Sequence, residues 1–83
     1  MDLSGKKVLI TGGGGGLGRV LAADFADAGA EVHIAGRRLA PLDDAVKTIP
    51  GITAHQLDVT DEGATDALFA SLGSCDIVIA NAG

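Results

Sequence analysis

The residues best able to do chemistry lie in one loop, Thr11-Gly12-Gly13-Gly14-Gly15-Gly16-Leu17-Gly18. An apolar run, Val8-Leu9-Ile10, precedes it, and an amphipathic segment beginning at Arg19 follows. A strand that enters a glycine turn and leaves as a helix presents unpaired backbone N–H groups at the helix start. The helix dipole adds partial positive charge at the same place. Glycine is required where backbone and a phosphate must approach closely, because side chains would hold the phosphate away. The chemistry is anion binding, and the anion is the pyrophosphate of a dinucleotide.

The remaining polar candidates are weaker. His33 and His55 fall within strand-like runs and read as satisfied or surface histidines, not as ligands. Asp43 and Asp44 read as a solvated helix face. Cys75 is the single cysteine, so no internal disulfide and no cysteine metal cluster is expected. It reads as a small residue leading into a buried strand, with no pattern of catalytic partners around it. No metal site and no catalytic residue is assigned within these residues.

The elements that position the loop follow from periodicity and turn residues. Val8–Thr11 is a short apolar strand of the kind buried on both faces of a parallel sheet. Gly16–Ala28 is a helix with Leu17, Val20, Leu21, Phe25 and Ala28 on its buried stripe, Arg19, Asp24 and Asp27 outside, and Gly29 as its stop. Glu31–Ala35 is a second strand, Leu39–Thr48 a helix with Pro41 in its first turn, and Ile52–Val59 a third strand. Thr60 caps a helix that runs to Leu72. Asp76–Ala80 is the fourth strand, with Asn81 at its tip. The order β-α-β-α-β-α-β predicts an α/β fold: a Rossmann-type, doubly wound parallel sheet of strand order 3-2-1-4 with right-handed crossovers. The first two helices should cover one face and the third the other. The ligand crevice lies beyond the strand C-termini, between strands 1 and 4, where Gly12–Gly18, Gly36–Arg38, Asp58 and Asn81–Gly83 converge.

Those converging residues resemble the short-chain dehydrogenase/reductase family. Thr11, Gly12, Gly16, Leu17 and Gly18 match its T-G-x-x-x-G-[IL]-G loop. Leu3-Ser4-Gly5-Lys6 is similar to its lead-in, Leu57-Asp58-Val59-Thr60 to its D-V segment, and Asn81-Ala82-Gly83 to three residues of its N-N-A-G. Ala80 stands where the family usually has asparagine. The glycine run also fits two other spacings, through Gly12, Gly15 and Gly18 or through Gly13, Gly15 and Gly18; Asn81-Ala82-Gly83 favours the compact dehydrogenase branch. The resemblance implies a cofactor site formed by Thr11, Gly12, Gly14, Gly15, Gly16, Leu17, Gly18, Gly36, Arg37, Arg38, Asp58, Val59, Asn81, Ala82 and Gly83.

The cofactor choice rests on the end of strand 2. An NAD enzyme carries an acid there for the ribose 2′-hydroxyl; this chain has Gly36-Arg37-Arg38. A guanidinium can bind a 2′-phosphate through two parallel charge-assisted bonds, so NADP is expected, with NAD as the alternative. Two solvated loop arginines are the plainer reading, and Gly15 occupies a position where many NADP members are basic. The Asp58 carboxylate is expected at the adenine, or else in a helix-capping or purely structural role.

The family carries out carbonyl–alcohol chemistry with a Tyr-x-x-x-Lys pair, a serine and an asparagine, all placed after strand 4. The 83 residues contain no tyrosine, and Ser71 and Ser74 lie on the wrong element to replace that serine. The chain is therefore expected to be the N-terminal part (residues 1–83) of a single cofactor domain, inactive alone. A genuine short nucleotide-binding or dimerising module is the alternative. An apolar edge at strand 4 and a sheet face covered by one helix support the longer protein. The net charge of −5 speaks against nucleic acid. No run approaches the roughly 20 apolar residues of a membrane span, and no secretory signal opens the chain. A cytoplasmic enzyme, homo-oligomeric at full length, with a small carbonyl or alcohol substrate, is the expectation.

Overall fold

The computed structural model describes residues 2–81. Four parallel strands, β1 (Lys7–Thr11), β2 (Glu31–Gly36), β3 (Ile52–Gln56) and β4 (Ile77–Ala80), form one sheet in the order β3-β2-β1-β4. Three helices connect them: α1 (Gly16–Asp27), α2 (Leu39–Thr48) and α3 (Glu62–Leu72). This is the expected Rossmann-type sheet, and its order reverses between β1 and β4.

Register sorts the side chains by face. Val8, Ile10, Val32, Ile34 and Ile52 pack beneath α1 and α2 with Ala22, Leu42, Ala45 and Ile49. Leu9 and Ala35 point the other way, into a smaller core with Leu57, Leu68 and Leu72 of the α3 side. The apolar run Val8-Leu9-Ile10 in β1, and the run Val32–Ala35 in β2 interrupted only by His33, suit strands buried on both faces. Helix α3 covers Leu9, which is fully buried, but not its neighbour Val78 on β4, which is 49% exposed.

Three local expectations are corrected. The stripe proposed for α1 is upheld in part: Leu21 and Phe25 pack on the core, but Leu17 and Val20 are exposed, and the closest approach to the sheet is through Gly18 and Ala22. Close approach selects the smallest residues, since a Cβ on Gly18 would lie 2.5 Å from the Gly12 carbonyl oxygen. Strand β3 ends at Gln56, not Val59, because Asp58 folds into a turn. Its carboxylate accepts from the Thr60 amide (2.9 Å) and hydroxyl (2.7 Å). Consequently Asp61, not Thr60, caps α3, accepting the Ala64 amide at 3.0 Å. The remaining boundaries fall within a residue of those read from the sequence, and α2 begins and ends where Pro41 and Pro50 imply.

Candidate functional site

The glycine loop is built by two kinds of glycine. Gly12 has φ +71°, and its amide donates to the Ala35 carbonyl at 2.7 Å, which ties the loop to the end of β2. A Cβ there would lie 1.9 Å from the carbonyl oxygen of Asn81, and one on Gly13 would lie 2.5 Å from Ile34 Cβ. Gly12, Gly13 and Gly18 are thus required by the fold. Gly15 and Gly16 are different: a Cβ at Gly15 meets only the Gly12 carbonyl at 3.6 Å, and at Gly16 nothing within 4 Å. Gly15 is also the N-cap of α1 and supplies no side-chain acceptor, and the first turn holds no acid. The helix amides therefore face open space with their positive end bare, the condition a phosphate needs. Gly15 and Gly16 thus leave open space beside the helix start.

A pocket of about 210 Å³ opens beside the loop, lined by Gly12, Gly14, Gly15, Gly36, Arg38, Pro41 and Leu42. This lobe falls short of the roughly 300 Å³ at which whole-ligand pockets begin, and it lies on the β2 side of β1. Gly36 packs against Leu42, with a Cβ position 3.5 Å from its Cδ2 atom. No carboxylate lines the lobe; the charged residue that does is Arg38. Arg37 lies at the rim, where its carbonyl accepts from Gln56 Nε2 (3.2 Å). Asp58 stands in the turn beyond β3. Hydrogen bonds from the Thr60 hydroxyl and amide hold its carboxyl below the usual range, and the Arg37 charge adds to the effect.

On the other side of β1, the Asn81 amide donates to the Thr11 carbonyl (3.2 Å) and its Nδ2 to the Gly12 carbonyl (3.4 Å). Thr11 Oγ1 donates to the Ile79 carbonyl at 3.4 Å. Thr11, Gly12, Gly14, Gly15, Gly16, Leu17, Gly18, Gly36, Arg37, Arg38, Asp58 and Asn81 are therefore gathered at one edge of the sheet. Val59 is exposed in the turn after Asp58. Ala82 and Gly83, expected at the same edge, lie outside the described residues.

Sequence reasoning missed several contributors. Gly13 is as tightly packed as Gly12, and Pro41 and Leu42 wall the pocket. Arg19 and Asp44, read as solvated, form an ion pair at 2.6 Å. Only Pro41 carried a sequence signal, through its place in a first helical turn. His33 behaves as expected. It is buried, it donates Nε2–H to Glu31 (2.6 Å), and its Nδ1 shares a hydrogen bond with His55 Nε2 (2.9 Å). Among the described residues no group of three side chains is placed to hold a metal ion, and no helix is long and apolar enough to cross a membrane.

A 3-2-1-4 parallel sheet with a bare glycine helix start at its switch point defines a Rossmann-type nucleotide fold. Residues 6–83 match the family model for short chain dehydrogenases, and the chain belongs to that family. Among characterised relatives, the short chain dehydrogenase pigC of Monascus ruber is 43% identical, aligned over 99% of this chain and 32% of its own length. The Pseudomonas aeruginosa RhlG/NADP active-site complex superposes with a TM-score of 0.84 at 30% identity, over 99% of this chain and 36% of that one. A 3-ketoacyl-(acyl-carrier-protein) reductase from Brucella melitensis, complexed with NADH, gives 0.77 at 32% identity, over 93% and 34%. The chain spans about a third of the length of the curated relatives it matches.

Proposed function

We propose that these residues form the cofactor-binding third of an NAD(P)-dependent oxidoreductase that exchanges hydride with a small carbonyl or alcohol substrate, with NADP the preferred nucleotide. The observation that carries the reading is the pocket lobe between the glycine loop and the end of β2, lined by Gly36 and Arg38 and by no carboxylate. An acid there would repel a 2′-phosphate, whereas glycine leaves room and a guanidinium can bind it bidentately. When bound, the nicotinamide supplies the hydride chemistry. The chain's own residues do the holding. The amides of the first turn of α1 take the pyrophosphate across Gly15 and Gly16, Arg37 and Arg38 take the 2′-phosphate, and Asp58 accepts from the adenine amino group. Asn81 buttresses the loop through the Gly12 carbonyl. These 83 residues contain no tyrosine, so the proton-transfer groups of the family's chemistry belong to sequence outside them. A cytoplasmic homo-oligomer is the setting the reading implies.

The test is cofactor discrimination. Charge-assisted hydrogen bonds contribute about 1.5–3 kcal/mol each, so Arg37→Asp should weaken NADPH by about tenfold or more and leave NADH much less affected. Equilibrium titration of both nucleotides reads this directly. Equal weakening of the two, or none, would remove the NADP assignment.

A further inference from the structure

Behind the pocket wall, one guanidinium joins three points of the chain. Arg19 Nε donates to the Gly14 carbonyl at 3.2 Å, and one terminal nitrogen donates to the Pro41 carbonyl at 3.0 Å. The same nitrogen meets Asp44 Oδ2 at 2.6 Å. The loop and the first turn of α2 are already in contact at this place: a Cβ on Gly14 would lie 3.0 Å from Pro41 Cβ and 3.4 Å from the Leu42 nitrogen. Gly14, Pro41 and Leu42 line the pocket, and Arg19 does not. The cation therefore does not present itself to a ligand; it fastens the wall from outside. The guanidinium reaches these acceptors from two nitrogens held in one plane, and lysine, a single point cation on a flexible stem, cannot set donors at both positions.

We propose that Arg19 and Asp44 are a positioning pair that fixes α2 against the glycine loop and thereby sets selectivity for a 2′-phosphorylated adenosine. This rests on the cofactor reading above. The link to selectivity is Arg38, which is the N-cap residue of α2 and lines the same lobe. With the first turn of α2 fastened to Gly14, Arg38 keeps a fixed distance from the loop; with it released, Arg38 moves with the helix end. The seat for a 5′-phosphate, made by the amides of α1, does not depend on that distance.

The experiment compares adenosine 2′,5′-bisphosphate with adenosine 5′-monophosphate by calorimetry on the full chain. In Arg19→Ala and in Asp44→Asn, affinity for the bisphosphate should fall by about tenfold, the scale of one lost charge-assisted bond. Affinity for the monophosphate should fall much less, so the ratio of the two drops. Arg19→Lys should fail to restore the ratio, and the double variant should be no worse than Arg19→Ala, because the pair acts as one unit. A role in stability alone would lower both affinities together and leave the ratio unchanged, and that result overturns the proposal, as does full rescue by lysine. Should Arg19→Ala not fold, Asp44→Asn, altered at a more exposed side chain, decides by the same ratio. A wild-type chain that binds neither nucleotide defeats the cofactor reading and this proposal with it. A wild-type chain that prefers the bisphosphate, with variants that keep the preference, defeats the proposal alone.

Discussion

A side chain on Gly13 would press into Ile34, whereas one on Gly16 would meet nothing in the chain. The two substitutions should therefore separate folding from binding. Gly13→Ala is an overpacking change and should lower stability by about 1–3 kcal/mol, read as a shift in the denaturation midpoint. Gly16→Val should leave that midpoint nearly unmoved while weakening NADPH and NADH alike, since it blocks the pyrophosphate they share. If nucleotide binding survives Gly16→Val intact, the phosphate seat lies elsewhere. At this scale most of the site was legible, because glycines before a helix and arginines after a strand act through local backbone geometry. Arg19 was not. Its acceptors at Pro41 and Asp44 lie 22 or more positions along the chain, and no local pattern announces them.

The same contrast holds for elements. Helix α2 was readable to the residue because prolines bound it, while α1 was placed correctly with only part of its stripe right: Leu21 and Phe25 pack on the core as expected, and Leu17 and Val20 do not. Its hydrophobic residues at Leu17 and Val20 outweigh Gly18 and Ala22 in any pattern, yet distance to the sheet decides which face fits. The start of α3 offered two adjacent capping types, Thr60 and Asp61, and the Asp58 turn settles the matter by engaging Thr60 first. The consequence is measurable. Asp61→Ala should cost about 1 kcal/mol through loss of the cap. Thr60→Ala should spare the helix and instead let the Asp58 carboxyl rise toward its ordinary value, as carboxyl chemical shifts against pH would report. A helix that suffers equally from both changes would mean that the cap is shared.

Across the whole molecule, the face under α3 carries a polar row in which Lys7, Glu31, His33 and His55 are linked through three strands. Two shifts there, of the Glu31 carboxyl and the His55 imidazole, point the same way. The hydrogen bond from His33 holds the Glu31 carboxyl below its ordinary value of 4.5, so the stability it lends is present above that value and is lost as pH falls through the lower folded one. Burial, with the neighbouring His33 charge, holds His55 below its ordinary 6.5. The unfolded chain takes that proton first, so stability also declines as pH drops beneath 6.5. Thermal midpoints should fall on acidification in two stages. His55→Gln should flatten the upper stage and Glu31→Gln the lower; an unchanged upper slope in His55→Gln would place its origin elsewhere.

The contact between Asn81 and Gly12 joins residues 69 positions apart. The glycine loop is therefore closed by one of the last described residues, and β4 must reach its place beside β1, with which it pairs directly, before that closure can occur. Contacts of such long range form late, after the entropy of closing the intervening chain has been met. In a growing polypeptide, the anion seat would then come into being as the final act of assembling the sheet. Nucleotide uptake would report that β4 has found its place beside β1.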